Sequence, residues 1–181
     1  PSPYRTTAPR AVFTGNMDYW PNADAAIWFA RQVLPLLRAR DAASEFIVVG
    51  ANPSPEVRAL AALPGVTVTG RVADVRPYLV HAGVAVAPLR IARGIQNKVL
   101  EAMALGVPVV ASPEAFEGVR ATPGQDLLVA DGAEATAQAI AAVLAGAYPG
   151  LRAAGRRAME QHYGWPATLA RLDGLMAPLG A

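Results

Sequence analysis

The segment RGIQNKVLEAMALG, residues 93–106, places a cation and a glycine at the start of a predicted helix. Lys98 is the only lysine among 16 basic residues. Gly94 lets the preceding loop pass close to a ligand. The backbone amides of Gln96 and Asn97 lie before the first intrahelical hydrogen bonds, so they can donate to an anion. These features together predict a phosphate site.

Three further charged residues define this predicted phosphate site. Arg90 and Arg93 add two positive charges just before the helix, so a diphosphate is the expected ligand. Glu101 follows Lys98 by three residues and lies on the same helix face. Its carboxylate suits the two adjacent hydroxyls of a ribose, from which it can accept hydrogen bonds. Two simpler interpretations stay open: Glu101 complements the helix dipole, and Lys98 pairs with Glu101.

Short, continuously apolar segments alternate with helical ones along the chain, which predicts a doubly wound α/β domain with a parallel sheet. The predicted strands cover residues 11–15, 46–50, 66–70, 84–88, 108–112 and 127–130. The predicted helices cover residues 22–40, 54–62, 96–106, 150–162 and 166–177, with two more after Asp74 and Asp131. Asn22 is expected to cap the first helix.

A strand order of 3-2-1-4-5-6 places the topological switch between strands one and four. Ligands of such sheets bind outside the carboxyl ends of the strands that flank this switch. The loops there cover residues 15–21 and 89–96, so the phosphate site falls at the predicted crevice. Gly15 has two interpretations, a close approach to the ligand or an ordinary strand-to-helix turn, whereas Gly50 is interpreted as a turn glycine. No G-x-G-x-x-G follows strand one, which argues against an ordinary dinucleotide site.

The composition of the chain excludes several classes of function. Of 181 residues, 53% are hydrophobic and 17% are charged, which suits one domain with a large core. The net charge of +2 is small, and no basic run with interleaved aromatic residues predicts nucleic-acid binding. Cysteine is absent, and His81 and His162 lie far apart, so no metal site is predicted. No apolar run reaches the length of a membrane span.

The block NKVLEAMALGVPVVAS, with VAVAPL before it and GQDLLVADGAEATAQAIAAVL after it, resembles the donor-binding domain of GT-B glycosyltransferases of family 4 (glycosyl transferases group 1). The likeness runs from about Val12 to Trp165. The segment VFTGNMDYWPNADAAIWF is similar to an exopolysaccharide branch associated with exosortase systems. The resemblance implies a six-stranded Rossmann-like sheet, the C-terminal half of a GT-B fold. We expect residues 1–10 to be a linker from a missing N-terminal domain, and residues 11–181 to bind the nucleotide-sugar donor.

The resemblance also implies roles for individual residues. Of two family glutamates eight positions apart, Glu101 matches the second, which contacts the ribose, whereas Arg93 replaces the first, which contacts the donor sugar. Glu114 or Glu117 could make the lost hydroxyl contacts. Asn16 and Asn22 occupy the positions of a family basic pair, so Lys98, with Arg93 or Arg90, is expected to meet the phosphate charge. The candidate catalytic residues are Lys98, Glu101 and Arg93, and the candidate substrate-binding residues are Gly15, Asn16, Gly70, Arg71, Val72, Arg90, Gly94, Ile95, Gln96 and Asn97.

The resemblance further implies a retaining, metal-independent sugar transfer in polysaccharide biosynthesis, with a nucleotide-diphosphate sugar as substrate and no cofactor. The acceptor is a saccharide or a lipid-linked molecule and binds the missing N-terminal domain, so this fragment alone is expected to be inactive. We expect a cytoplasmic protein that contacts the inner membrane through its full-length form. Two alternatives stay open: a nucleotide-sugar epimerase of the same fold, and a non-catalytic nucleotide-sugar binding or interaction module.

Overall fold

A computed structural model describes residues 10–165 and residue 169. At its centre lies a six-stranded parallel sheet with the order β3-β2-β1-β4-β5-β6, which confirms the predicted doubly wound topology. The strands are β1 (Arg10–Thr14), β2 (Glu45–Val49), β3 (Val66–Val68), β4 (Val84–Ala87), β5 (Val109–Ala111) and β6 (Leu128–Val129). The topological switch lies between β1 and β4, and the loops that leave their carboxyl ends meet at one edge of the sheet.

Helices connect these strands. They are α1 (Trp20–Trp28), α2 (Leu34–Arg40), α3 (Pro55–Ala59), α4 (Arg76–Val80), α5 (Asn97–Ala104), α6 (Pro113–Phe116), α7 (Gly132–Leu144) and α8 (Leu151–Tyr163). The helices α1, α2 and α7 cover one face of the sheet, while α5 and α8 pack together on the other. Right-handed crossovers explain why the helices after β1 and after β4 lie on opposite faces. Apart from residue 169, the predicted helix over 166–177 lies outside the described residues.

A π-helical turn, Phe29–Val33, joins α1 to α2 without a break in the helix. Pro35 lies at the start of α2, lacks a backbone N–H, and its ring would clash with the carbonyl of residue 31 in a regular α-helix. The backbone widens there, and the amide of Leu34 donates to the carbonyl of Phe29. The first helix therefore continues through a proline that would otherwise end it.

The start of α1 differs from the sequence prediction. Tyr19 occupies the N-cap position, and Pro21, which needs no hydrogen-bond partner for its nitrogen, lies in the first turn. Asn22 is inside the helix rather than at its cap, and its side chain is buried. The prediction that Asn22 caps the helix is therefore wrong. Its carboxamide points instead toward the loops at the switch.

The core lies between the sheet and its two helical layers. Phe13 of β1 and Phe46 of β2 are completely buried, and the ring of Phe46 stacks at a tilt on that of Phe29, with 4.2 Å between the centroids. Such an aromatic pair contributes about 1 kcal/mol beyond its buried area. This packing holds the helical layer that begins with α1 against β2. No helix among the described residues is long and apolar enough to cross a lipid bilayer.

Candidate functional site

A cavity of about 370 Å³ opens at the carboxyl edge of the sheet, at the topological switch. The predicted site residues that line it are Gly15, Asn16, Arg71, Val72, Asn97, Lys98 and Glu101. The residues that the sequence did not indicate are Thr14, Val49, Gly50, Ala51 and Val75. The structure thus brings together residues from the ends of β1 and β2, from the loop after β3 and from the start of α5.

The amino terminus of α5 borders this cavity. Gln96 occupies the N-cap position, and the amide of Val99 makes the first backbone hydrogen bond of the helix, 2.9 Å to the carbonyl of Gln96. The amides of Asn97 and Lys98 precede that bond and have no partner within the helix. Gln96 Nε2 donates to the carbonyl of Gly94 at 3.0 Å, which closes the loop over a glycine with φ of 68°. The loop is therefore shaped before any ligand binds.

Lys98 lies half-buried in the wall of the cavity. Its Nζ donates a short hydrogen bond to Asn22 Oδ1 and lies 4.8 Å from the centroid of the Phe13 ring, a cation–π contact. Within the described residues, no carboxylate lies at ion-pair distance from Nζ. Burial lowers the pKa of the Lys98 ammonium group to about 8, and the negative charge of Glu101 partly opposes this shift. Lys98 is therefore a desolvated cation without a counter-ion.

The carboxamide of Asn22 connects α1 to both neighbouring loops. Its Nδ2 donates to the backbone carbonyl of Asn16 at 2.9 Å, while its Oδ1 accepts from Lys98. A Cβ atom at position 15 would lie 2.7 Å from Asn22 Nδ2, so only glycine fits beside this amide. Gly15 therefore has a packing role as well as a place in the cavity wall.

The loops after β1 and β2 support one another. A Cβ atom at position 50 would lie 1.6 Å from the carbonyl oxygen of Gly15, so that Gly50 is needed for the two loops to touch. The amide of Met17 donates to the carbonyl of Ala51 at 2.8 Å, and the Met17 side chain is completely buried. Asn52, which has φ of 54°, donates a hydrogen bond from Nδ2 to Asn16 Oδ1 at 3.3 Å. These contacts hold the loops after β1 and β2 against each other beside the cavity.

Glu101 and Arg71 are the other charged residues of the cavity. Glu101 lies one turn after Lys98 on α5, and its exposed carboxylate also borders a second cavity, of about 420 Å³, between α5 and α8. Arg71 follows Gly70, which has φ of 69°, in the loop after β3, and its side chain is exposed. The lining of the cavity thus contains two cationic side chains, those of Lys98 and Arg71, and one carboxylate, that of Glu101.

Several predicted residues lie outside the cavity wall. Gly94, Ile95 and Gln96 shape the loop that precedes α5, and Arg93 is exposed on the same loop. Arg90 Nε donates to Asp24 of α1 at 2.9 Å, and this ion pair raises the pKa of the guanidinium. Arg90 lines a separate cavity of about 270 Å³ near the ends of β4 and β5, together with Glu114. The charge of Arg90 is therefore already balanced by Asp24.

The described part of the chain contains no group of three or more His, Asp or Glu side chains that could hold a metal ion. The chemistry that the cavity offers is that of an anion site: helix amides, an ammonium group and a nearby carboxylate for hydroxyl groups.

The fold resembles one half of several solved glycosyltransferases. A glycosyltransferase from Rickettsia africae ESF-5 aligns with a TM-score of 0.77 at 16% identity, over 97% of this chain and 49% of that one. Sucrose-phosphate synthase from Thermosynechococcus elongatus aligns with a TM-score of 0.72 at 23% identity, over 96% and 46% of the two chains. Anabaena HepE, solved in complex with UDP and glucose, aligns with a TM-score of 0.73 at 13% identity, over 94% of this chain and 48% of that one. No curated protein sequence matched the chain.

The sheet order and the cavity at its switch define a doubly wound domain of the kind that binds ligands at the carboxyl ends of its strands. The family model for glycosyl transferases group 1 matches residues 8–146, most of the chain. The chain therefore belongs to the glycosyl transferases group 1 family. It spans about half the length of each of the three solved structures.

Proposed function

We propose that this chain is the donor-binding domain of a glycosyltransferase that moves a sugar from a nucleotide-diphosphate sugar to a saccharide or lipid-linked acceptor. The observation that carries the proposal is the position of Lys98 in the cavity at the switch, at the amino terminus of α5, where no residue of the described chain supplies a counter-ion to its ammonium group. The Lys98 ammonium group and the backbone amides of Asn97 and Lys98, which have no partner within the helix, are donors that together suit a diphosphate. Membership of the family supports the same function.

The unpaired charge of Lys98 explains how the site gains affinity for a diphosphate. A desolvated ammonium group has already lost part of its hydration, so an incoming phosphate oxygen restores stabilisation that the apo protein lacks. During sugar transfer, negative charge grows on the departing diphosphate. Lys98 and the amides of α5 stabilise that charge, and this electrostatic term is the share of catalysis that we assign to the domain.

The remaining cavity residues fit the other parts of a nucleotide. Glu101 lies one turn from Lys98, where its carboxylate accepts from the ribose hydroxyls. The base rests near Arg71 and Val72, where apolar side chains such as Val49 and Val75 complete the wall. Arg93 is exposed on the loop before α5, and the family resemblance assigns its position to the contact with the donor sugar.

The finer parts of the proposal rest on the family resemblance. We propose a retaining, metal-independent transfer in polysaccharide biosynthesis, on the cytoplasmic side of the membrane, with the acceptor held by a second domain. The complex of Anabaena HepE with UDP and glucose is consistent with a nucleotide sugar as the partner of this fold. The fragment on its own is expected to bind the donor without transferring the sugar.

Titration of the chain with UDP, GDP, ADP, the matching monophosphates and the nucleosides tests the proposal by calorimetry. At least one diphosphate is expected to bind, and removal of its β-phosphate should weaken binding about tenfold or more, because it removes charge-assisted hydrogen bonds. Whichever of UDP, GDP and ADP binds most tightly is the reference diphosphate for the other experiments. Equal affinity for nucleoside and diphosphate, or no binding of any diphosphate at millimolar concentration, would overturn the proposal.

The role assigned to Glu101 predicts a loss of affinity that depends on the ribose. Glu101→Gln keeps the shape of the side chain but weakens the hydrogen bonds that it accepts from two ribose hydroxyls. The reference diphosphate should therefore bind roughly fivefold more weakly, a loss of about 1 kcal/mol in binding free energy. The 2′-deoxy form of the same diphosphate keeps only the 3′-hydroxyl, so its affinities for the two proteins should differ by only about twofold. The comparison is measured by calorimetry at pH 7. An equal loss for both ligands would mean that Glu101 acts on the phosphates or on the fold instead.

A further inference from the structure

The carboxamide of Asn22 contacts Lys98 and the loop after β1 at the same time. Asn22 is 6% exposed, yet it is polar and lies in the first turn of a helix where an apolar residue would pack as well. Its Oδ1 accepts from Lys98 Nζ, and its Nδ2 donates to the carbonyl of Asn16 at 2.9 Å. Gly15 leaves just enough space for this amide. A buried polar group with both ends satisfied has a defined geometry that packing alone would not impose.

We propose that Asn22 is a positioning residue of the diphosphate site, which holds the Lys98 ammonium group toward the cavity through a neutral acceptor and so keeps its positive charge uncancelled. The inference rests on the proposed function, because it concerns the anion that Lys98 receives. A carboxylate in the same place would satisfy the ammonium group with a full negative charge, and the site would lose most of its attraction for phosphate. An apolar side chain would leave the ammonium group without a fixed direction.

The surroundings of Lys98 explain why the neutrality of position 22 matters. The ring of Phe13 covers one side of the ammonium group at 4.8 Å, and Asn22 holds another. The charged groups that share the cavity are Glu101 from α5 and Arg71 from the loop after β3, which have opposite signs. The exposed carboxylate of Glu101 only partly opposes the effect of burial on Lys98, so the residue that touches Nζ decides how much charge an incoming anion meets.

The role of Asn22 can be tested because Lys98 is the only lysine of the chain. Protein labelled with ¹³C and ¹⁵N in lysine alone gives one side-chain signal, whose pH titration reports the Lys98 ammonium group directly. In Asn22→Asp the Lys98 pKa should rise by one unit or more above about 8, and the reference diphosphate should bind roughly tenfold more weakly. Gln138→Glu, on the exposed surface of α7, adds the same charge far from the cavity and should change neither quantity.

Several outcomes separate this inference from the proposed function. A Lys98 pKa in Asn22→Asp that stays within a few tenths of the wild-type value overturns the role of Asn22, even where the diphosphate still binds. An unchanged affinity in Asn22→Asp overturns it as well. Failure of the wild-type chain to bind any diphosphate contradicts the proposed function, whereas the shift of the Lys98 titration still reports the contact with Asn22.

A second variant keeps the test decisive should Asn22→Asp not fold. Asn22→Ala removes the acceptor without adding a charge, so the reference diphosphate should bind about fivefold more weakly while the titration of Lys98 shows no rise. A purely structural role for Asn22 would lower the unfolding temperature and leave the Lys98 titration and the affinity of the folded protein unchanged, and that result would overturn the inference.

Discussion

Lys98→Met is expected to weaken binding of the reference diphosphate roughly 30-fold, about 2 kcal/mol. The methionine side chain keeps the length and the apolar stem that pack against Phe13, but it removes the charge. The amides of Asn97 and residue 98 remain, so weak binding of the diphosphate should persist. Isothermal titration calorimetry of the two proteins at pH 7 and low salt measures the difference.

Two controls show that the loss comes from the missing charge. Arg157→Met removes one positive charge from the exposed surface of α8 and should leave the affinity within twofold. The free energy of unfolding of Lys98→Met should stay close to that of the wild type, because removal of the desolvated charge offsets the loss of the hydrogen bond to Asn22 Oδ1. An affinity of Lys98→Met within threefold of the wild type would remove Lys98 from the site.

The affinity for the reference diphosphate should fall as the pH rises above about 8. The Lys98 pKa of about 8 belongs to the unliganded protein, and a bound phosphate should raise it, so the protonated form binds more tightly. Below pH 8 the ammonium group is already charged and the affinity is nearly level. Above pH 8, binding must also take up a proton, and the affinity should fall roughly tenfold from pH 7 to pH 9.

The Lys98→Met variant is the control for this pH profile. Lys98→Met lacks the titrating group, so its weaker affinity should stay level over the same range. Calorimetry in two buffers of different ionisation enthalpy should also detect uptake of nearly one proton at pH 9 by the wild type alone. A parallel fall in both proteins would assign the pH dependence to another group.

The same pKa shift has a consequence for stability. The folded protein holds the Lys98 proton less tightly than the unfolded chain, whose pKa is near the ordinary value of 10.5. The resulting destabilisation is fully present below pH 8, and it is relieved as the pH rises from about 8 to 10.5. The apo protein thus carries an energetic cost that an anion in the cavity would remove.

The topology could be predicted from the sequence because the signals are local and repeated. Six continuously apolar segments alternate with helical ones, and both faces of a parallel sheet must be covered. The strand order, confirmed in the structure, brought the loop after β1 and the start of α5 to one edge. The widened helical turn before Pro35 could not be predicted in this way, since a proline normally indicates the end of a helix.

The cavity was predicted in part. Lys98 and Glu101 lie in its wall, as the predicted helix at the switch indicated, and Arg71, which the family resemblance indicated, lies there as well. The partner of Lys98 was missed, because Asn22 is 76 residues away and its sequence pattern indicated a helix cap. The balance of charge at Arg90 was also missed, because its partner Asp24 lies on another helix. Contacts between distant elements depend on packing, which local patterns do not encode.

The position of Gly50 shows the same limit. Its sequence context indicates a turn after a strand, and that interpretation is compatible with many loop shapes. The structure adds a specific reason, since the carbonyl oxygen of Gly15 occupies the place where a Cβ atom would lie. The requirement for glycine thus comes from a neighbouring loop and not from the turn itself.

The central claim is that an anion in the switch cavity meets the Lys98 ammonium group. The most direct measurement is the titration of the single labelled lysine by NMR, without ligand and with saturating reference diphosphate. We expect a pKa of about 8 in the free protein and an upward shift of about two units in the complex, which the uptake of nearly one proton at pH 9 requires. A diphosphate that binds while the lysine titration stays unchanged would contradict the claim and place the anion elsewhere.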